Sequence, residues 1–248
     1  MRINFFCRKL NKQNIKNILF LIIPLVIFSF SLKAQNMSIF SKATKSGWYP
    51  QLLNPVVEAI TGNAQNHVIL DIGTGPGTLP EMLIKKDSGL QITGIDIDST
   101  MINEAKRRLS HQNVSFRNQK INAPLEFANE QFDAVTFCSV LFLLDDTIKT
   151  GLLNEAVRVL KANGRVIILT PSGKKPILSA FAEVWRYKFS FNNFTFPIWK
   201  IATTSRGRKW QKQKWLERYA RENHLSYSYS LAFNSNAAIE TISKITSN

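Results

Sequence analysis

The stretch V-I-L-D-I-G-T-G-P-G at residues 68–77 constrains the fold of this chain more than any other feature. An apolar, β-branched run that contains Asp71 is typical of a buried strand, and Gly73, Gly75 and Gly77 follow it. Glycine lacks a Cβ atom, so this turn allows a ligand to lie against the backbone. A helix after the turn would add unpaired N–H groups, which suit an anionic group. The stretch therefore predicts a binding turn between a strand and a helix.

Strand-like and helix-like segments alternate five times along residues 67–169, and the last of these strands is 165–169. Continuous apolar strands separated by amphipathic helices indicate a parallel sheet that is covered on both faces. Ser99 is predicted to cap the helix after the second strand. Two further candidate strands, at 225–233 and 239–245, lie near the end of the sequence. We therefore expect an α/β fold that binds ligands at the carboxyl ends of its strands.

Two classes of ligand compete for the glycine turn. A dinucleotide site needs G-x-G-x-x-G, but Thr78 stands where its third glycine would be. The pattern here is D-x-G-x-G-x-G, and the carboxylate of Asp71 would repel a pyrophosphate. The same carboxylate suits a ligand with an ammonium group, which S-adenosylmethionine carries beside its carboxylate, ribose and adenine.

The second signal is T-G-I-D-I-D at residues 93–98. Asp96 ends the second strand, where its carboxylate can accept hydrogen bonds from both hydroxyls of a ribose. A plainer interpretation is that Asp98 or Ser99 only caps the next helix, and both interpretations can hold because the residues differ. Together with Asp71 and the glycines, Asp96 predicts a nucleoside site.

On these motifs the chain resembles the class I S-adenosylmethionine-dependent methyltransferases, in particular the small-molecule group that includes the quinone-type enzymes. The resemblance covers residues 68–170 and includes F-D-A-V-T-F-C-S-V at 132–140 and E-A-V-R-V-L-K-A-N-G-R-V-I-I at 155–168. It implies a doubly wound, Rossmann-like, mostly parallel seven-stranded sheet with helices on both faces and an antiparallel last strand. It also implies S-adenosylmethionine as the cofactor.

The resemblance implies a set of cofactor-binding residues: Asp71, Gly73, Thr74, Gly75, Gly77, Asp96, Ile97, Asn122, Ala123 and Ser139. The glycines would approach the methionine part, and Asp96 would bind the ribose. Ile97 would pack on the adenine, whose edge Asn122 and Ala123 would read. Ser139 would lie near the methionine part. The family often has Asp where this chain has Asn122, and an amide oxygen can still accept from an amino group.

No residue is identified as catalytic, because methyl transfer needs mainly alignment and exclusion of water. Tyr49 either reaches the mouth of the site or packs in the core. Asp145 and Asp146 follow the fourth strand and can equally cap the next helix. No metal site is expected, because the three histidines lie far apart in the sequence.

Residues 174–221 hold eleven aromatic and twelve basic residues against two acids, Glu183 and Glu217. Ile177, Phe181, Val184, Trp185 and Phe189 fall at helical spacing. This stripe either packs on the sheet, covers a hydrophobic acceptor as a lid, or touches anionic lipid. Stacking on single-stranded nucleic acid ranks last, since no recognised RNA-binding motif accompanies it.

Residues 1–36 form a leader with a basic head and an uncharged apolar stretch at 18–32. A signal peptide cleaved near Ala34, a membrane anchor and a wrongly assigned start all fit this pattern. We expect a methyltransferase domain at 37–248 that contains a lid-like insertion at about 174–221. We expect this domain in the cytoplasm, and residues 18–32 are the segment through which it would contact a membrane. The alternative is export after cleavage near Ala34.

The sequence therefore predicts transfer of a methyl group from S-adenosylmethionine to a small, hydrophobic or lipid-like acceptor. The net charge of +15 adds an anionic membrane surface as a candidate partner. One alternative is a membrane-associated module that binds the cofactor without turnover. A weaker alternative is an NAD(P)-dependent oxidoreductase.

Overall fold

The computed structural model describes residues 41–63, 67–120 and 123–245. The leader at 1–36 and Asn122 lie outside the described residues, so the predictions about them stay predictions. The described residues from Ala43 onward form one compact unit. Within the described ranges, none of the helices combines the length and the apolar character that a membrane crossing requires.

Strands and helices alternate through the described part of the chain. The strands are β1 (Val68–Ile72), β2 (Gln91–Asp96), β3 (Val114–Asn118), β4 (Phe132–Cys138), β5 (Leu160–Pro171), β6 (Leu225–Ala232) and β7 (Ala237–Lys244). The α-helices are α1 (Trp48–Thr61), α2 (Thr78–Lys86), α3 (Ser99–Arg108), α4 (Asp146–Val159), α5 (Ser179–Val184), α6 (Thr195–Gln213) and α7 (Trp215–Glu222). Short 3₁₀ turns occupy Leu141–Leu143 and Phe191–Phe194.

The strands form a single seven-stranded sheet in the order β3-β2-β1-β4-β5-β7-β6. β1 to β5 pair in parallel, whereas β7 runs antiparallel to both β5 and β6. The expected mostly parallel sheet with an antiparallel last strand is confirmed. The strand order reverses between β1 and β4, so the carboxyl ends of these strands flank the point where such sheets bind ligands.

The core lies on both faces of this sheet. Consecutive residues of β1 from Ile69 to Ile72 are all buried, and so are Val166 to Leu169 of β5. Side chains alternate between the two faces of a strand, so burial at successive positions requires layers of helices on both sides. This explains why the central strands are continuously apolar in the sequence.

Two details of the sequence interpretation are wrong. Asp98, not Ser99, caps α3, because its extended backbone lets the Oδ1 atom accept from the Thr100 amide at 2.9 Å. Strand β5 begins at Leu160 rather than Arg165. The pairing of β4 with β5 shifts register between Phe132 and Ala134, and this irregularity takes up the residues of β5 between Leu160 and Arg165.

Helix α6 lies against the end of β5 at a glycine. A Cβ atom on Gly207 would lie far inside van der Waals contact with the carbonyl oxygen of Pro171. Gly151 in α4 differs, because it is exposed and a Cβ atom there would meet nothing within 4 Å. Two helical glycines therefore have opposite tolerance for a side chain.

We expect Gly207→Ala to destabilise the fold by about 1–3 kcal/mol, because α6 must move away from β5. Gly151→Ala is the matched control and should stabilise the fold by about 0.5–1 kcal/mol, because alanine favours a helix more than glycine does. Urea unfolding measures both free energies. Equal effects of the two substitutions would contradict the close contact between α6 and β5.

Candidate functional site

The loop after β1 is held by the end of β2. The amides of Gly73 and Thr74 both donate to the carbonyl oxygen of Ile95, at 2.8 and 3.0 Å. The amide of Gly75 donates to Oδ2 of Asp96 at 2.9 Å. Three successive amides of the glycine loop therefore depend on two residues of β2, which fixes the loop beside the predicted ribose-binding carboxylate.

The glycines of this loop are required by its backbone. Gly73, Gly75 and Gly77 have φ values of +75°, +54° and +75°, which side chains rarely allow. A Cβ atom on Gly73 would also overlap Val140, and one on Gly77 would lie 2.9 Å from the Phe116 ring. The glycines are therefore needed partly because Val140 and Phe116 of the protein itself lie against the loop, and not only to admit a ligand.

Asp96 presents a carboxylate at the carboxyl end of β2. Its Oδ1 atom accepts from the Asp98 amide at 2.9 Å, while Oδ2 accepts from Gly75. Burial raises the pKa of this carboxyl, and the hydrogen bonds from the Asp98 and Gly75 amides oppose the shift. The Ile97 amide also donates to this carboxylate. Two carboxylate oxygens offer about four acceptor positions, so the carboxylate can still accept from a hydroxyl group. Ile97 follows with 61% of its surface exposed, an apolar side chain that is available to a flat ring.

Asp71 is an almost fully buried acid at the end of β1. Its Oδ1 atom accepts from the Thr136 hydroxyl at 2.7 Å. Burial raises its pKa from the usual 3.8 to about 6, the hydroxyls of Thr136 and Thr74 oppose the shift, and the charge of Asp96 adds to it. Among the described residues, Asp71 forms no ion pair with a cationic side chain. A cation that entered here would stabilise the carboxylate.

The Thr74 hydroxyl is a second buried group that lacks compensation. Its oxygen lies near the Asp71 carboxyl but has no hydrogen-bond partner at bonding distance among the residues that the structure describes. Buried polar groups without partners are uncommon and point to a missing ligand or water. Asp71 and Thr74 together form a buried polar pair whose chemistry suits a ligand with an ammonium group.

Tyr49 and Cys138 lie beside Asp71. Burial raises the pKa of Tyr49, and electrostatic interactions with the neighbouring Cys138 and Asp71 raise it further. Burial likewise raises the pKa of the Cys138 thiol, with the charge of Asp71 as the second cause. Tyr49 also packs edge-on against Trp48 with ring centroids 5.4 Å apart. The tyrosine is therefore both a packing aromatic and a neighbour of the site.

Ser139 and Ala123 stand at the ends of two other strands. Ser139 has a φ of +62°, and its amide donates to Leu169 of β5 at 2.8 Å. Such a left-handed backbone at a residue other than glycine is typical of functional turns. The carbonyl oxygen of Ala123 accepts from Gln119 Nε2 at 3.1 Å, just beyond β3.

The structure thus gathers most of the predicted site residues at one edge of the sheet. The glycine loop follows β1, Asp96 and Ile97 follow β2, and Ser139 follows β4, whose next residue Val140 contacts Gly73. Sequence reasoning did not place Thr136 or Cys138 in this cluster. They face Asp71 only because β4 pairs with β1, with Thr136 opposite Asp71 in the register.

A pocket of about 400 Å³ lies near this edge, between the start of α4 and the second half of α6. Its lining residues are Phe142, Leu143, Leu144, Asp145, Asp146, Lys149, Arg206, Lys209, Trp210 and Gln213. Asp145 precedes α4 but makes no side-chain cap, while Asp146 pairs with Lys149 at 2.7 Å. The sequence could not predict this pocket, because its two sides lie some sixty residues apart.

The charge of Asp71 costs stability at neutral pH. A carboxyl whose pKa rises on folding destabilises the folded state above that pKa, and the penalty disappears as the pH falls toward 3.8. We expect Asp71→Asn to be more stable than the parent chain at pH 8, by on the order of 1–3 kcal/mol. This advantage should shrink between about pH 6 and pH 4 in thermal unfolding.

Asp133 is the matched control for this prediction. Its pKa is lowered because Lys161 Nζ donates to it at 2.8 Å and the Val68 and His67 amides add further hydrogen bonds. Asp133→Asn should therefore lose stability at pH 8 and lose progressively less as the pH falls through the acidic range. Loss of stability at pH 8 in Asp71→Asn would show that the Asp71 carboxylate has a structural role instead.

The central part of the chain is similar to known methyltransferases. A family model described as a methyltransferase domain matches residues 69–164. The ubiquinone/menaquinone biosynthesis C-methyltransferase of Desulfotalea psychrophila is 34% identical over 133 residues, which are 53% of this chain and 53% of that protein. The demethylmenaquinone methyltransferase of Thermotoga maritima is 29% identical over 162 residues, which are 63% of this chain and 68% of that protein. The chain spans about half the length of the first of these relatives.

Solved structures share the fold. The plantazolicin methyltransferase BamL, in complex with a triazolic analogue and SAH, aligns with a TM-score of 0.62 at 14% identity. That alignment covers 89% of this chain and 95% of the BamL chain. The methyltransferase domain of bacterial CtHen1 aligns with a TM-score of 0.55 at 22% identity, over 78% of this chain and 97% of that domain. At these identities the likeness establishes the architecture alone.

Proposed function

We propose that this chain, whose domain belongs to the class I S-adenosylmethionine-dependent methyltransferases, transfers a methyl group from S-adenosylmethionine to a small apolar acceptor. One observation carries the proposal above the others. The glycine loop, the buried Asp71 and the carboxylate of Asp96 meet where the strand order reverses. This arrangement offers backbone amides, a site for a cation and a site for hydroxyl groups within one edge of the sheet.

The residues present fit each part of the cofactor. The amides at the start of α2 suit its carboxylate, and Asp71 suits its ammonium group, which would also supply the cation that this buried acid lacks. The free lone pairs of Asp96 suit the ribose hydroxyls. The exposed side chain of Ile97 suits the adenine ring, whose edge would face Ala123 and Asn122 at the end of β3.

The chain's contribution to the chemistry is alignment and exclusion of water. S-adenosylmethionine, when bound, would supply a methyl group on a sulfonium: an electron pair of the acceptor would form the new bond to the methyl carbon, and the sulfur would keep the electron pair of the broken carbon–sulfur bond. Tyr49 and Cys138, the titratable neighbours of Asp71, keep their protons at neutral pH because their pKa values are raised. Neither is suited to act as a general base. An acceptor that loses its own proton readily is therefore favoured.

Quinone precursors are the acceptor class that we favour. The relatives from Desulfotalea psychrophila and Thermotoga maritima are named as methyltransferases of quinone biosynthesis. A phenol, with an ordinary pKa of about 10, ionises far more readily than an aliphatic alcohol, so it makes the smaller demand on the protonated groups around Asp71. The relatives named above are all methyltransferases, and nothing supports the oxidoreductase alternative. The cofactor-binding module without turnover remains as an outcome of the assay below.

We place this domain in the cytoplasm, because that compartment holds the cofactor. Determining the mature N-terminus by mass spectrometry tests the placement. A chain that begins at Gln35 would show cleavage near Ala34 and would contradict it.

The role of Asp96 can be tested by calorimetry with S-adenosylhomocysteine. We expect Asp96→Ala to weaken binding about 10- to 100-fold, because hydrogen bonds between hydroxyls and a charged acceptor are lost. Asp98→Ala is the matched control, since Asp98 caps α3 through Thr100 and is half-buried beside the site. It should lower stability by about 1 kcal/mol and leave the affinity unchanged. Equal affinities of the Asp96 variant and the parent would contradict the ribose assignment.

Methyl transfer itself can be followed with S-adenosylmethionine that is radiolabelled in its methyl group. We expect the full chain to transfer label into the quinone-precursor fraction of a lipid extract, and the Asp96→Ala variant to transfer much less at limiting cofactor. Tight binding of S-adenosylhomocysteine without transfer into any fraction would favour the binding module. Binding of NADH with no binding of S-adenosylhomocysteine would refute the proposal entirely.

A further inference from the structure

Helix α5 buries an acid and leaves large apolar side chains exposed at and just before its start. Its buried face carries Ala180, Val184 and the acid Glu183, whose carboxylate accepts from Asn234 Nδ2 at 2.9 Å. The outward face carries Leu178 and Phe181, which are 79% and 52% exposed. A surface helix normally turns its apolar stripe toward the core. The buried acid and the exposed apolar side chains together indicate that the outward face meets an apolar surface outside the domain.

The exposed apolar surface continues beyond α5. Trp185, Phe189 and Phe191 are 71%, 67% and 80% exposed, and the rings of Phe189 and Phe191 contact each other at 5.4 Å between centroids. We call these residues the exposed apolar patch: Leu178, Phe181, Trp185, Phe189 and Phe191. A contiguous group of large apolar side chains on a protein surface marks a site of interaction. One prediction from the sequence is that the helically spaced stripe at residues 177–189 packs on the sheet. That prediction is wrong for every member except Val184, which is buried.

The residues that follow the patch pack against the start of α1. Asn193 Oδ1 accepts from the Gly47 amide at 2.9 Å, and the Trp48 indole donates to Thr195 Oγ1 at 2.9 Å. Phe196 is fully buried and packs against Trp48 with ring centroids 5.2 Å apart. These contacts fix the segment to the start of α1, so its outward face is a preformed surface rather than a loose loop.

The charges around the patch have one sign. Arg186 and Lys188 are exposed between its aromatic residues, and Lys174 is exposed just before it. Glu183, the acid within this stretch, is buried and held by Asn234 and Arg186, so it contributes little negative charge at the surface. Apolar aromatic side chains surrounded by basic residues are complementary to an anionic lipid surface.

We propose that the exposed apolar patch docks the domain onto an anionic membrane, with its aromatic side chains between the lipid headgroups. The docked patch would hold the neighbouring site near the bilayer, since α1 also carries Tyr49 beside Asp71. The proposal adds a partner to the proposed function, because a lipid-like acceptor would enter from the membrane. Docking itself needs neither the cofactor nor turnover, so its failure can be told apart from failure of the methyl-transfer proposal.

Flotation with vesicles tests the proposal on the full chain. Vesicles of phosphatidylcholine with phosphatidylglycerol should bind the parent chain at least about tenfold more tightly than a Leu178→Ser/Trp185→Ser/Phe191→Ser variant. Residues 1–36 are present in both chains and contribute equally. Ile245→Ser is the matched control, because it removes an exposed apolar side chain at the opposite end of β7 from Asn234, the partner of Glu183. It should bind as the parent does.

A second measurement reports on the patch itself. Vesicles made with brominated lipid should quench part of the tryptophan fluorescence of the parent chain, and Trp185→Phe should lose this quenching while keeping its affinity for S-adenosylhomocysteine. Trp48, Trp210 and Trp215 are buried and Trp199 is half-buried, so these four should contribute little compared with the exposed Trp185. Equal quenching in both chains would overturn the proposal. Equal vesicle binding by parent and triple variant would also overturn it, as would a triple variant that loses only self-association.

Discussion

The tie between the glycine loop and β2 is the interaction on which the rest of the site depends. Ile95 and Asp96 accept the amides of Gly73, Thr74 and Gly75, so the loop after β1 and the carboxylate at the end of β2 form one unit. Parallel pairing of the two strands brings these groups together, and positive φ values allow the loop to close. The same carboxylate thus orders the loop and remains available to a ribose.

Burial of the Asp71 carboxylate is the part of this arrangement that lowers the stability of the fold. The sheet buries its carboxylate beside Asp96 without a cationic side chain among the described residues, and its pKa rises to about 6. Sites that bind charged ligands commonly store such unfavourable electrostatics, which the ligand then relieves. A ligand with an ammonium group turns a destabilising acid into part of an ion pair, which links the stability of the empty domain to its specificity.

Much of the fold and the chemistry of the site could be predicted, because both follow from local patterns. Asp71, the glycines and Asp96 lie within two strand ends, where an apolar run stops at a polar residue. The sequence could not predict that Thr136 and Cys138 face Asp71, since strand pairing alone brings them there. It also left open whether the stripe around Trp185 is buried, because helical spacing identifies a face but not its orientation toward the core.

The most direct test is the proton balance of S-adenosylhomocysteine binding near pH 6, measured by calorimetry in buffers of different ionisation enthalpy. Pairing with the ammonium group should lower the pKa of Asp71, so binding should release about half a proton at a pH equal to its unbound pKa. Asp71→Asn should bind with markedly less release. Binding with no proton release in the parent chain, or with the same release in Asp71→Asn, would contradict the account.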